Sequence, residues 1–282
     1  MDLKTFITQY SRDLESVSEN PSFDLQVLVA HRLQKTRSWV LAHLDEPLTE
    51  DSLLVLQEDV GWLLQGVPLP YILGKWEFYG NRFFVTPDVL IPRPETELMV
   101  EKALAWMNSH PETKWVVDIG TGSGCIAISL ALLQPNIYVI ATDISLKALK
   151  IAQKNIHFHR VAERVFLVQA DLLPALGVRV DLICANLPYV PQQDLLSLKV
   201  AEKEPLIALD GGENGLMVYR RLMTQLAEQC KAPRFLLCEI DPHQVIPFDT
   251  FIGEHFPSSH RQVYCDLSGL ERLMTVEFSR DE

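Results

Sequence analysis

The chain has 282 residues, 48% of them apolar and 22% charged, with a formal net charge of -12. That composition excludes a disordered or fibrous chain, and the acidic balance argues against duplex DNA as a partner, because the average surface repels a phosphate backbone. A basic protein or a small molecule suits it better. The N-terminal segment MDLKTFITQYSRDLESVSEN has no basic start leading into an apolar stretch. No run reaches the roughly 18 apolar residues of a membrane span, so a cytoplasmic protein with no membrane partner is expected. Cys125, Cys184, Cys230, Cys238 and Cys265 form no C-x-x-C pair. They are expected to be reduced, small, mostly core residues with no disulfide or metal role.

From Leu3 to about Gln65 apolar residues recur at helical spacing, as in Phe23, Val27, Leu28 and His31, or Leu53, Leu54, Leu56, Val60 and Leu63. Asn20-Pro21-Ser22, Asp45-Glu46-Pro47 and Gly66 to Pro70 break the segment into short helices, since proline cannot continue one. A small helical domain over residues 1–70 is predicted. Between Tyr71 and Ile91 the aromatics Trp76, Phe78, Tyr79, Phe83 and Phe84 surround the turn dipeptide Gly80-Asn81, which predicts a β-hairpin linker over residues 71–91. Ile91-Pro92-Arg93-Pro94-Glu95-Thr96-Glu97 then precedes a helical run from Leu98 to Met107, for which Thr96 or Glu95 is the expected cap.

The remainder, residues 92–282, alternates apolar strand-like runs with helical patterns from Lys114 onward. Strands are predicted at Trp115 to Ile119, Tyr138 to Thr142, Val165 to Gln169, Val180 to Ala185 and Phe235 to Glu239. Helices are predicted at Cys125 to Leu133, Leu146 to His157, Leu216 to Cys230 and His243 to Phe256. Strands buried on both faces and separated by helices make an α/β, doubly wound, mostly parallel sheet. The closing pair, Gln262 to Cys265 and Arg272 to Phe278, is expected to form a hairpin and an antiparallel edge.

Asp118-Ile119-Gly120-Thr121-Gly122-Ser123-Gly124 runs from the first strand into the first helix, where a glycine-rich turn lets the backbone approach a ligand. Asp143 ends the second strand, placed to accept both ribose hydroxyls of an adenosine cofactor. The G-x-G-x-G spacing, with an acidic residue two positions before it, departs from the G-x-G-x-x-G of a dinucleotide site and points to S-adenosylmethionine. In that reading Asp118 orients the loop and favours the cationic amino group, Asp171 receives the adenine amino group, and Leu172 packs beside the ring.

Asn186-Leu187-Pro188-Tyr189 follows the fourth strand. Methyl transfer to an amide or aryl-amine nitrogen requires its delocalised lone pair to be aimed at the methyl group. The Asn186 side-chain oxygen and the Leu187 carbonyl supply two acceptors for the N–H hydrogens, and Tyr189 offers an aromatic face.

With these segments in view the chain resembles the release factor glutamine N5-methyltransferase family over essentially its whole length. The likeness rests on Tyr71 to Gly74, Glu77 to Gly80, Leu90 to Glu97, Asp118 to Ala127, Asn186 to Tyr189 and Glu204 to Gly212. The resemblance implies a class I methyltransferase domain, S-adenosylmethionine as cofactor, a helical domain that helps hold the substrate, and class 1 peptide chain release factors as partners. The target would be the glutamine of their Gly-Gly-Gln loop, bound by Asn186, Leu187, Pro188 and Tyr189. Two departures stand out: Leu187 where the family usually has proline, and Asp241 where a glycine is usual in the run Glu239 to Gln244. Two other readings remain: an N6-adenine nucleic-acid methyltransferase, which needs a basic cleft to flip its base, and a non-catalytic module that binds translation factors. Cofactor binding separates the last from the others.

Overall fold

The computed structural model describes residues 1–197, 202–228 and 232–279. By its internal contacts the chain divides into two compact units, Met1–Lys75 and Trp76–Glu282.

The first unit contains α1 (Leu3–Asp13), α2 (Pro21–Arg32), α3 (Arg37–Ala42), α4 (Glu50–Leu64) and α5 (Leu69–Leu73). Short polar side chains start three of them: Asp2 accepts from the Thr5 N–H at 2.7 Å, Thr36 from the Trp39 N–H and Thr49 from the Ser52 N–H. The buried stripe of α2 is Leu25, Leu28 and Val29, while Phe23 is exposed. Of the predicted stripe Leu28 is buried and Val27 packs half-buried against the same core, so the buried face is turned from the predicted one by about a third of a turn. On α4 the predicted Leu56, Val60 and Leu63 are buried, but Leu54 is exposed. The Arg32 guanidinium makes a two-bond fork onto the Asp59 carboxylate, both at 2.6 Å, fastening α2 to α4.

The chain continues at the boundary between the units with a hairpin of β1 (Lys75–Phe78) and β2 (Asn81–Phe84). Tyr79 and Gly80 form its turn with φ of 50° and 70°. Two consecutive positive values match the right-handed strand twist, so the turn lies one residue earlier than Gly80-Asn81. There follow α6 (Glu97–Ser109), β3 (Trp115–Ile119), α7 (Cys125–Leu133), β4 (Tyr138–Asp143), α8 (Leu146–Phe158) and β5 (Val165–Gln169). The second unit continues with β6 (Leu182–Ala185), α9 (Gln192–Leu195), α10 (Met217–Glu228), β7 (Phe235–Glu239), α11 (Val245–His255), β8 (His260–Cys265) and β9 (Glu271–Glu277).

Seven strands form one sheet in the order β5-β4-β3-β6-β7-β9-β8. The first five are parallel, and β9 runs antiparallel to both β7 and β8. The antiparallel strand therefore lies one in from the margin, and β8 forms the edge. Alternate residues divide the core. Val116, Val139, Leu182 and Leu237 face a cluster containing Met99, Ala103, Ile126 and Ile128. Val117, Ile140, Ile183 and Leu236 face one containing Tyr219, Leu222, Phe248 and Ile252. Helices on both faces explain the nearly continuous apolar strands. Strand order reverses between β3 and β6, which opens a crevice beyond their carboxyl ends, where such sheets bind ligands.

Cys125, Cys184 and Cys238 are buried free thiols and Cys265 is exposed. Cys230 and the end of the helix predicted to reach it lie outside the described residues.

Candidate active site

The glycine turn between β3 and α7 is shaped by backbone needs. Gly120 has φ of 72°, and a Cβ there would come within 3.3 Å of Leu187 Cδ2 and 3.6 Å of the Asn186 carbonyl. The left-handed φ favours glycine, and an added side chain would press on Leu187 where the turn approaches the segment after β6. Asp143 fixes the turn from the neighbouring strand, accepting from the Gly122 N–H at 2.9 Å and the Ser145 N–H at 2.8 Å. Burial raises its pKa, and these backbone bonds oppose the rise.

Asp118 lies fully buried under the turn. Its Oδ2 accepts from the Thr121 hydroxyl at 2.6 Å and the Ala127 N–H at 3.2 Å, whereas Oδ1 has no partner among the described residues. Burial pushes its pKa up to about 6, against those two hydrogen bonds. A buried acceptor without a donor fits a site completed by a cationic ligand.

These elements border a cavity of about 410 Å³, within the usual range of small-molecule sites. Gly120, Thr121, Gly122, Ser123, Asp143, Asp171, Leu172, Asn186, Leu187 and Pro188 line it. Asp118, Gly124 and Tyr189 do not. Gly124 starts α7 close against Ile128 and Ala152. Asp171 gives one carboxylate oxygen to Arg221, and Leu172 holds a φ of 64°, an uncommon state for a branched apolar residue. The volume, the close backbone approach, the Asp143 carboxylate and the orphaned Asp118 oxygen together suit S-adenosylmethionine.

The segment after β6 is held from several sides. Asn186 Nδ2 donates to Thr96 Oγ1 at 3.1 Å. The Leu187 N–H donates to the Tyr219 hydroxyl at 3.2 Å, and that hydroxyl is also bonded to the Ala185 and Glu239 carbonyls. The Tyr189 hydroxyl donates to Glu239 Oε1 at 3.2 Å, and its carbonyl accepts from Gln244 Nε2 at 2.6 Å. Burial, then the Glu239 charge, raises the Tyr189 pKa well above the phenol range.

Thr96 is not the side-chain cap that its position before α6 predicts. It has helical backbone angles and makes no capping bond, because a 3-10 turn at Pro94–Thr96 leads into the helix and its hydroxyl faces Asn186 instead. Glu95, within that turn, makes no capping bond either. At Asp241 the usual glycine is not needed. Its φ of -81° and ψ of 146° are ordinary extended values, and it forms a capping box with Gln244.

Sequence reading missed several residues that organise the site. Asn155, fully buried on α8, bonds the Phe84 N–H at 2.7 Å, the Phe84 carbonyl at 3.0 Å and the Ser123 carbonyl at 2.8 Å, so it ties the hairpin to the glycine turn. A lone polar residue on the apolar face of an amphipathic helix was the available signal. Arg93 reaches Glu204 at 2.7 Å, and the other Glu204 oxygen accepts from the Ile91 N–H at 3.3 Å. Arg93→Ala leaves a buried carboxylate without its cation. It is expected to lower stability by roughly 2–3 kcal/mol, less than a fully buried pair would lose because Arg93 is partly exposed. Denaturant unfolding measures it, and an unchanged midpoint at unchanged slope would contradict that role.

Comparison with known proteins adds ancestry to this geometry. Residues 5–74 match the model described as PrmC N-terminal domain, and residues 96–207 match Methyltransferase small domain. The release factor glutamine methyltransferase of Moorella thermoacetica is 40% identical over 269 residues, covering 94% of this chain and 93% of that one. That of Bacillus cereus is 34% identical over 259 residues, covering 89% and 91%. Among solved structures, the human METTL16 catalytic domain in complex with an RNA hairpin superposes with a TM-score of 0.61 at 14% identity, covering 83% of this chain and 84% of that one. At that identity the likeness concerns the fold alone.

Proposed function

We propose that the segment after β6, Asn186-Leu187-Pro188-Tyr189, presents a glutamine amide to a cofactor held by the glycine turn, since this chain belongs to the family of release factor glutamine methyltransferases. The chain transfers a methyl group from S-adenosylmethionine to the N5 side-chain nitrogen of the glutamine in the Gly-Gly-Gln loop of class 1 peptide chain release factors. One observation carries the reading: the glycine turn and Asn186 border the same cavity at the point where strand order reverses.

S-adenosylmethionine supplies a methyl carbon already activated by its sulfonium. Gly120, Thr121, Gly122 and Ser123 would give the close backbone approach, with Gly124 opening the helix behind them. Asp143 would take the ribose hydroxyls and Asp171 with Leu172 the adenine, while Asp118, buried beneath the turn, would orient the loop and favour the ammonium group through its charge. Asn186 Oδ1 and the Leu187 carbonyl accept the two amide hydrogens of the substrate, which turns the nitrogen lone pair toward the methyl carbon. No strong base is required, because the proton leaves after the nitrogen has become cationic. The helical unit recognises the release factor beyond its loop. The reading locates the protein in the cytoplasm with its substrate; no helix among the described residues is long and apolar enough to cross a membrane.

Asp143→Ala removes the ribose acceptor and unpins Gly122. The Michaelis constant for cofactor is expected to rise by about tenfold or more, with turnover falling less. Steady-state kinetics measure this, and an unchanged cofactor constant would remove Asp143 from the site. The function itself is tested with radiolabelled cofactor. Label is expected in a class 1 release factor and not in a version whose loop glutamine is replaced by alanine. Equal labelling of both, or labelling of nucleic acid alone, would overturn the reading.

A further inference from the structure

We propose that Glu239 is a positioning residue for methyl transfer, acting through Thr96 to fix which end of the Asn186 amide faces the substrate. The inference rests on the role given above to Asn186 and concerns Glu239, which lies outside the cavity lining, and Thr96, whose hydroxyl is bonded to Asn186 at the cavity's edge.

Glu239 ends β7 beside β6 and is buried, as is Thr96. The groups facing its carboxylate come from every surrounding element. They are the Tyr189 hydroxyl after β6, the Thr96 hydroxyl and Glu95 carboxylate before α6, and the Arg272 guanidinium on β9. The Cys125 thiol at the start of α7 also feels its charge, and the Tyr219 hydroxyl of α10 bonds its carbonyl. Tyr189 holds Oε1, while Oε2 is buried with no hydrogen-bond partner among the described residues. The Thr96 hydroxyl favours the ionised form of this carboxylate.

The Thr96 hydroxyl has one proton and sits between two claimants. A carboxylate only accepts, and a hydrogen bond to it is stronger than one to a neutral amide. With Glu239 ionised, the Thr96 proton turns toward it, and the Thr96 oxygen is left to accept from Asn186 Nδ2, the arrangement observed at 3.1 Å. With Nδ2 held by Thr96, the Asn186 Oδ1 is then the end available to the substrate N–H groups in the cavity that Asn186 lines. Protonated Glu239 reverses the order. It donates to Thr96, Thr96 donates to Asn186, and the amide gains by turning its oxygen inward and its NH₂ outward, donors facing donors. Burial first, and then the nearby Glu95 charge, raise the Glu239 pKa to about 7, with Thr96 and Tyr189 opposing. Since the ionised form is the productive one, activity falls as pH drops through that value.

The test measures kcat/KM for the release factor against pH at saturating cofactor, which suppresses the titration of Asp118 and Asp143. Wild type is expected to show an acid limb. Glu239→Gln, whose NH₂ donates to Thr96 at every pH, is expected to lose about tenfold or more on the alkaline side and to lack that limb. Thr96→Val should behave likewise, Thr96→Ser should approach wild type, and the Michaelis constant for cofactor should hold within about twofold in all. An acid limb in Glu239→Gln matching wild type, or Thr96→Val within about twofold of wild-type rate, would overturn the proposal. The Thr96 pair decides the case if Glu239→Gln does not fold. Nitrogen-15 NMR of the Asn186 side-chain amide needs no turnover. Its signal should move with the Glu239 titration in wild type and stay fixed in Thr96→Val; a fixed signal in wild type overturns the proposal. A wild-type protein that leaves release factors unmethylated contradicts the functional reading instead, and the NMR result still decides the relay.

Discussion

Asn186→Ala is expected to lower turnover by on the order of 100-fold or more at saturating cofactor, with the protein folded and cofactor affinity changed much less. The magnitude follows from what is deleted. In the proposed mechanism the Asn186 side chain contributes one of two acceptors that orient the substrate nitrogen, and it is held in advance by Thr96 at 3.1 Å. A preorganised polar contact loses more when removed than a surface hydrogen bond does, because water in its place has to be oriented in every turnover. The neighbouring position supplies the contrast. Leu187 is proposed to give the reaction only its carbonyl; its N–H bonds the Tyr219 hydroxyl at 3.2 Å and its side chain packs over Gly120. Leu187→Pro forfeits that long hydrogen bond and keeps the carbonyl, so turnover should change by less than about tenfold, roughly 1.4 kcal/mol of barrier. Single-turnover kinetics compare the two variants. If Leu187→Pro is folded, binds cofactor and is as slow as Asn186→Ala, the division between a side-chain role and a backbone role is wrong.

Gly215→Ala is expected to cost about 4 kcal/mol or more, at the far end of what single substitutions do. Gly215 has φ of 72°, and an added Cβ would stand 2.1 Å from Gln244 Nε2 and 2.2 Å from the Tyr189 carbonyl oxygen. The glutamine side chain has some freedom, but the carbonyl belongs to a backbone held by the Gly211 N–H to Val190 and the Gln192 N–H to the Gly212 carbonyl, each at 2.9 Å. Relief therefore requires moving the segment that carries Tyr189, so methylation should fall with stability. Gly177, where an added Cβ meets nothing within 4 Å, is the control and should stay within about 0.5 kcal/mol. Denaturant unfolding measures both. A Gly215→Ala protein with wild-type midpoint and slope would show that the loop gives way without resistance.

What could be read in advance was local or periodic. The strands Trp115–Ile119, Val165–Gln169 and Phe235–Glu239 and the helix Cys125–Leu133 have the bounds that their apolar runs and flanking turns indicate. The glycine turn and the residues after β6 could be assigned to one crevice because a parallel sheet puts every strand's carboxyl end on the same side. What escaped depends on contacts between distant positions. Thr96 and Asn186 are 90 positions apart and Arg93 and Glu204 are 111 apart, and neither hydrophobic period nor local turn chemistry encodes such a pair. Thr96 looked like a helix cap because capping is what a threonine before a helix most often does; its tertiary partner outweighed the local preference. The stripe on α2 was misplaced for a related reason. Phe23 is as apolar as Leu25, and only the packing of neighbouring helices decides which of them turns inward.

The account stands or falls on where the methyl group goes. Fragmentation mass spectrometry of a class 1 release factor, after incubation with this protein and S-adenosylmethionine, locates it directly. The expected result is a single added methyl group on the side-chain amide of the Gly-Gly-Gln glutamine. A methyl group on any other residue, or a release factor unchanged while Asn186→Ala and wild type bind cofactor equally well, would contradict it.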